Sequence, residues 1–412
     1  MPTLTVVPAG STSGAILAPS SEPVWLHFQS HTGSTSGARS YTAHVTNPFQ
    51  VTKPVDSSEV IDREAEADQL VELAFEGNNA RLVAPRRYGK TSLIHRVQHQ
   101  LDDQGWVTVY VDLLGIISAD DFSSRIERAY TQQLKGSVAK WFAGVRRQLK
   151  PTFTGGGGPV PASLSIDLSG PSKEALADRL DLPLRIWKKT GDRIHVVFDE
   201  FQELDRIPQK NVDQVLRSVI QHHGDAASYV FAGSALHMME MMFADRTRAF
   251  YGQTQKVALH PLGDEPLAGY IVDRFQTTGK DLTPTALDAL LSLVLGHPQR
   301  AMLAAHALWN VSSPLGDLGE WEVARTHVME EADDELRVLW MSLDVPDREV
   351  LVRLAAGLTP FSRSTGGSRG GSIVRAVDGL LAQGVVATVA DGQRRIVDPL
   401  FAEWIRAQRG SS

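Results

Sequence analysis

The sequence predicts an α/β fold built on a doubly wound parallel sheet, and three observations predict it. Strand-like and helical stretches alternate between about residues 64 and 260. One short strand runs into a glycine-containing loop that opens a helix, and another strand, almost wholly apolar, ends in two acids. Sheets of this kind bind ligands at the carboxyl ends of their strands, where both of these segments fall.

The loop comes first. Arg81-Leu82-Val83 is followed by Ala84-Pro85-Arg86-Arg87-Tyr88-Gly89-Lys90-Thr91, and then by helix-forming Ser92-Leu93-Ile94-His95-Arg96-Val97. Strand, G-x-x-x-x-G-K-[ST] spacing and helix make a phosphate-binding loop, or P-loop. Gly89 lets the backbone wrap a phosphate, and the amides after it point inward at a helix N-terminus that favours an anion. Lys90 reaches the β- and γ-phosphates, and the Thr91 hydroxyl is placed for Mg²⁺. Ala84 stands where the pattern has its first glycine, and Pro85 has no amide to donate. Alanine suffices at the strand exit if its φ stays negative. The expected cofactors are ATP and Mg²⁺, with Ala84, Pro85, Arg86, Arg87, Tyr88, Gly89, Lys90, Thr91 and Ser92 as nucleotide-binding residues.

A bound Mg-nucleotide also needs a carboxylate at the end of a neighbouring buried strand. Arg193-Ile194-His195-Val196-Val197-Phe198-Asp199-Glu200 supplies it, because a strand covered on both faces reads as a continuous apolar run. Asp199 is the expected metal partner beside Thr91, and Glu200 the general base that polarises a water. Trp106 to Asp112 alternates as a further strand, Ser228 to Ala232 is another, and Gln255 to Leu259 is the last. A strand between the loop strand and the acidic strand is the arrangement of the additional-strand class of P-loop ATPases. Ser234, at the tip of the 228–232 strand, then falls beside the γ-phosphate as a polar sensor. Lys90, Glu200 and Ser234 are the expected catalytic set.

Composition excludes several alternatives. The chain has 412 residues, 42% of them hydrophobic, enough for two or three domains. A net charge of −7 shows no overall field for nucleic acid or membrane, and without cysteine there are no disulfides, thiolate metal sites or cysteine nucleophiles. No apolar run approaches the roughly 20 residues of a membrane span, and no signal peptide is read, so a cytoplasmic protein is expected. The thirteen histidines have no metal-ligand spacing.

The organisation follows from pattern shifts. Residues 1–45, rich in Ser, Thr, Gly and Pro, are expected to be a disordered tail, with Val24-Trp25-Leu26-His27-Phe28 as a docking alternative. An ATPase domain is expected over 46–260, opened by a helix from Glu64 to Phe75 with Leu70, Leu73 and Phe75 on its apolar side. Residues 119–149 and 209–222 read as helical, and Thr152 to Ser172, containing Gly155-Gly156-Gly157-Gly158, as a flexible insertion or hairpin. A helical lid is expected over 261–343: Thr283 caps a helix with Pro284 first, Gly296-His297-Pro298 breaks it, and a long helix spans 319–341. Over 344–408, helices at 347–355 and 372–383, strands at 385–389 and 395–397 around Asp391-Gly392, and a helix at 399–408 form a winged-helix pattern, with 409–412 as a tail.

With these elements in order, the chain resembles the archaeal-type ATPases, a branch of the signal-transducing P-loop ATPases related to the AAA and STAND groups. Ile61-Asp62-Arg63-Glu64-Ala65-Glu66 resembles that family's F-x-G-R-E-x-E box. Pro85 to Ile94 follows its p-R-R-x-G-K-T-S-L-l, Phe198-Asp199-Glu200-Phe201-Gln202 its acidic strand end, and Gly296-His297-Pro298 its G-x-P turn. Asp398 to Trp404 fits the end of its winged helix, so the match runs from about residue 47 to 408. The resemblance implies an ATP-hydrolysing molecular switch, adds Arg63 and Pro298 to the nucleotide site, and implies a protein partner or self-association. Asp62 replaces a glycine of the first box. Gln253 stands where many relatives have the arginine of Y-G-R, which implies slow or partner-dependent hydrolysis unless Arg246 or Arg248 substitutes. DNA binding through the winged helix, as in origin-recognition ATPases, is the less favoured reading because the 372–383 helix offers only Arg375 as a cation. A binding-only scaffold is the other alternative.

Overall fold

The computed structural model describes residues 46–149 (save 54, 57 and 58), 166–167, 170–361, 368–388 and 392–410, and Thr46–Ser412 forms one compact unit. The 1–45 tail with its Val24–Phe28 segment, the Gly155–Gly158 insertion, Asp391 of the predicted turn and the last two residues lie outside the described residues.

Five parallel strands make the central sheet: β1 (Ala80–Val83), β2 (Val107–Asp112), β3 (Ile194–Asp199), β4 (Ala227–Gly233) and β5 (Gln255–Ala258), in the order β2-β3-β4-β1-β5. Strand β4 therefore lies between the loop strand β1 and the acidic strand β3, the additional-strand arrangement. Every residue of β3 and β4 is buried, which is why both read as unbroken apolar runs rather than alternating ones. The register places Val83 opposite Gly233, and Asp112 opposite Asp199, so the loop and both acids emerge at one edge. Behind that edge Phe198, Phe201, Phe231, Phe243 and Phe250 pack ring against ring, with Phe201 and Phe231 centroids 4.7 Å apart.

The first helix spans Glu64–Phe75, with Leu70 and Leu73 buried. Phe75 departs from expectation: it is 45% exposed and makes a T-shaped contact with the Trp106 ring. Five residues of helix carry it about 140° around from Leu70, to the flank of the apolar stripe. Residues 209–222 also differ. The helix is Val212–Ile220, while Gln209–Lys210 pairs with Ile166–Asp167, because Asn211 takes a left-handed φ of 69° between them.

After the sheet come helices Asp264–Thr277, Pro284–Val294, Pro298–Val311 and Leu318–Ser342. Thr283 caps the second, accepting from the Ala286 amide, and Asp317 with Glu320 makes a capping box on the fourth. Gly296, at φ 71°, could not be replaced by a larger residue, since a Cβ there would lie 2.3 Å from the Leu262 carbonyl oxygen. The chain ends in helices Val345–Ala355 and Ser368–Ala382, an antiparallel pair β6 (Val386–Thr388) and β7 (Arg394–Ile396), and helix Pro399–Gly410. Leu290, Leu308, Trp321, Leu336, Leu380 and Phe401 belong to one apolar cluster, so these terminal elements share their core with the 264–342 helices.

Candidate functional site

Gly89 caps helix Lys90–Asp103 in the left-handed region at φ 79°, a conformation glycine adopts without penalty. Arg87 sits at φ 67°, strained for a side-chain-bearing residue, so the loop is bent at two of its last three positions before Lys90. Ala84 is buried, has no positive φ, and donates its amide to the Gly233 carbonyl at 3.3 Å. The loop thus leaves the sheet edge without a glycine at that corner.

Lys90 is 7% exposed, and its ammonium faces both acids of β3: Nζ lies 3.3 Å from Glu200 Oε1 and 3.6 Å from Asp199 Oδ1. Alternating side chains on a strand point to opposite faces, so two consecutive acids cannot both face one lysine on a regular strand. Glu200 resolves this by leaving the strand in the left-handed region at φ 52°, which turns its carboxylate to the Asp199 side. Its amide closes the turn on Asp199 Oδ1 at 2.9 Å. Tyr110 donates its hydroxyl to Asp199 Oδ2 at 2.6 Å, while Ser234 Oγ, at 2.7 Å, and Gln202 Nε2 both donate to Glu200 Oε2. Burial pushes the Glu200 carboxyl up, but Lys90 with the Gln202 and Ser234 hydrogen bonds outweighs it and holds the group below the usual carboxylate range. Burial, and then the Asp199 charge, raise the Tyr110 phenol far above its ordinary value, so it stays a donor. Gly233 makes room: a Cβ there would come within 2.5 Å of Gln202 Oε1.

Beside this cluster opens a cavity of about 290 Å³, close to the lower end of small-molecule sites. Arg63, Arg87, Tyr88, Gly89, Lys90, Thr91, Ser92 and Pro298 line it, and Val60, Ile61, Leu262 and Met302 give it an apolar wall. Gln299 also lines it, with an Oε1 that has no hydrogen-bond partner. Arg63 is buried and commits its guanidinium to the carbonyls of His260 and Asp62; burial lowers its pKa from the ordinary value. Tyr88 packs edge-on against His297 at 4.9 Å, joining the loop to the Gly296-His297-Pro298 turn.

The structure thus brings Lys90, Asp199, Glu200 and Ser234 together and sets Thr91, Arg63 and Pro298 around the adjoining cavity. Ala84, Pro85 and Arg86 are in the loop but do not line it; Ala84 is committed to the sheet and Arg86 is exposed. Gln253 Oε1 accepts from Arg217, Arg248 is paired with Asp205 and Asp213, and Arg246 is exposed. Tyr110 and Gln202 were not expected. Gln202 follows the acids by two residues, so it was within sight; nothing in the sequence around Tyr110 marks it as a partner of Asp199. Among the described residues no group of three or more His, Asp or Glu side chains could hold a metal by itself, and no helix is long and apolar enough to cross a membrane.

Solved structures share this architecture, a Walker-type ATPase among them. A Walker-type ATPase of Pyrococcus abyssi superposes with a TM-score of 0.62 at 17% identity, over 87% of this chain and 99% of its own. The Aeropyrum pernix ORC2 protein, in ADPNP-ADP complexes, gives 0.54 at 16% identity over 88% and 98%. Its ADP form gives 0.52 at 13% identity, over the same shares of the two chains. No protein-family model matches the chain, and no curated protein is detectably similar to it. The chain therefore has the α/β P-loop ATPase fold, with a doubly wound parallel sheet followed by a helical C-terminal region.

Proposed function

We propose that this chain binds ATP with Mg²⁺ at the P-loop and hydrolyses it, acting as a molecular switch of the archaeal-type ATPase kind. The observation that carries this is Lys90, a buried ammonium at the loop's lysine position, held against two carboxylates beside an open cavity. The donor set fits the ligand. Lys90 and the amides after Gly89 would hold the β- and γ-phosphates, and the apolar wall of Val60, Ile61 and Met302 would take the base. Thr91 and Asp199 would hold Mg²⁺; with so few protein ligands such an ion completes its shell with phosphate oxygens and water. Bound there, it supplies charge neutralisation on the phosphoryl oxygens.

Glu200 then acts as the base. Its carboxylate is ionised, and Ser234 and Gln202 fix one oxygen by hydrogen bonds. The other oxygen faces Lys90, and once Lys90 is drawn to phosphate that oxygen is left to accept a proton from water. Asp199, held in place by the Tyr110 hydroxyl, stands at the metal position. The structural neighbours, a Walker-type ATPase and a protein solved with ADPNP and ADP, support this reading. So do the family motifs from Arg63 to Pro298. We assign 46–260 as the ATPase domain, 261–343 as a lid and 344–408 as a winged helix that serves interaction with a protein partner. Helix 372–383 offers Arg375 as its one cation, with Nε bonded to the Gly371 carbonyl, so duplex DNA is not the favoured partner.

The test is an ATP titration of the purified chain and of Lys90→Ala. Removing the ammonium that neutralises the phosphates should weaken ATP by about 100-fold. Undiminished affinity would overturn the P-loop assignment.

A further inference from the structure

One ionic chain leaves the phosphate loop and ends at the C-terminal helix. Arg87 Nη1 lies 2.7 and 2.8 Å from the two carboxylate oxygens of Glu335, on helix Leu318–Ser342. Glu335 Oε2 is also 3.5 Å from Nη2 of Arg300, two residues past Pro298. Arg300 is 2% exposed and grips Asp398, with Nε 3.1 Å from both carboxylate oxygens and Nη2 2.5 Å from Oδ2. Asp398 in turn accepts from the Leu400 amide at the start of helix Pro399–Gly410. Burial opposes the Arg300 charge, but the Asp398 and Glu335 carboxylates outweigh it and raise its pKa.

The links differ in kind. Arg300–Asp398 is a buried, multiply bonded pair, and breaking it would strand a buried charge. Arg87–Glu335 is half exposed on both sides and contributes little to stability, so it exchanges partners easily. Arg87 also lines the cavity, on the same loop as Gly89 and Lys90. A triphosphate offers more negative charge than one carboxylate, and a guanidinium matches either geometry.

We propose that Glu335 is a phosphate-sensing latch. A nucleoside triphosphate at the loop takes Arg87 from Glu335, leaving that carboxylate to Arg300 alone. Helix Leu318–Ser342 thereby loses its hold on the loop and shifts against helix Pro399–Gly410. That second contact is already built, since Trp404 Nε1 donates to Asp333 Oδ1 at 2.7 Å and Arg325 pairs with Glu403. The signal would pass from phosphate to the C-terminal elements through a two-state ion pair. The inference rests on the nucleotide reading above.

The test uses the full chain and two readouts: affinity for fluorescent ATP and ADP, and amide hydrogen exchange over 333–342 and 399–408 with and without saturating ATP. In the wild type, ATP should raise exchange in both segments and ADP should do so less. Glu335→Gln removes the competing charge, so it should bind ATP about three- to tenfold more tightly and show the faster exchange without nucleotide. Arg87→Gln cuts the same link from the loop side and should also lose the ATP response at saturation. Unchanged or weaker ATP binding by Glu335→Gln, or an exchange response that survives in either variant, overturns the latch alone. No ATP binding by the wild type overturns the nucleotide reading, and the latch with it.

Discussion

The acid cluster at the strand tips and the ionic chain from Arg87 to Asp398 are built from the same kinds of groups, yet they behave as opposites. Lys90, Asp199 and Glu200 are all well buried, with 8%, 6% and 16% of their side chains exposed. Each carboxylate there has a hydroxyl donor as well as the lysine. Arg87 and Glu335 expose about half of their side chains and, among the described residues, pair with each other and with Arg300. A buried cluster whose carboxylates are fixed by Tyr110 and Ser234 is preorganised, as chemistry requires, and gives up only its lysine to phosphate. A half-exposed pair is cheap to exchange, as a switch requires.

Breaking the buried side should have the largest effect. Glu200→Gln keeps the shape of the cluster and removes only the base, so single-turnover hydrolysis should slow by at least about 100-fold while ATP affinity stays within a few fold. Wild-type turnover in that variant would move the base elsewhere.

The next effect is on stability and pH. His195 and His297 are buried, and burial lowers each pKa to about 4 from an ordinary 6.5. The unfolded chain binds protons that the fold cannot, so their contribution is complete above pH 6.5 and lost as pH falls towards 4. Each is worth at most about 3 kcal/mol across that window. Urea melts at pH 7 and pH 4.5 should show the loss, and His195→Gln should flatten it; an unchanged slope would mean that the imidazole charges without cost.

Asp199→Asn separates metal from nucleotide. It should weaken Mg-ATP by about tenfold or more and metal-free ATP much less, measured by titration with and without a chelator. Equal losses would remove Asp199 from the metal position. Smallest is Trp404→Phe, which deletes the bond to Asp333 and should lower stability by about 1 kcal/mol; a larger loss would show that the ring packing dominates there.

How much of this was legible follows from sequence distance. The loop, the acids and Ser234 each sit at the end of a strand with its own local signal, and strand order did the rest. Glu200 needed a left-handed backbone to face Lys90, a requirement the alternation rule raised and only the structure could meet. Phe75 falls off the buried face because three apolar residues near a helix end need not share one stripe. Glu335 and Arg300 carry no motif of their own, Asp398 belongs to a stretch that marks a domain rather than an ion pair, and Glu335 lies 248 residues from Arg87. Charged residues on helices are usually solvated, so nothing local marked these as partners.

The most direct test of the central claim is a crystal structure of the full chain grown with Mg²⁺ and a non-hydrolysable ATP analogue. The expected result is the β- and γ-phosphates within hydrogen-bond distance of Lys90 Nζ, the metal against Thr91 and Asp199, and the base between Val60 and Met302. An empty loop at saturating analogue, or nucleotide bound elsewhere with Lys90 still held by Asp199 and Glu200, would contradict it.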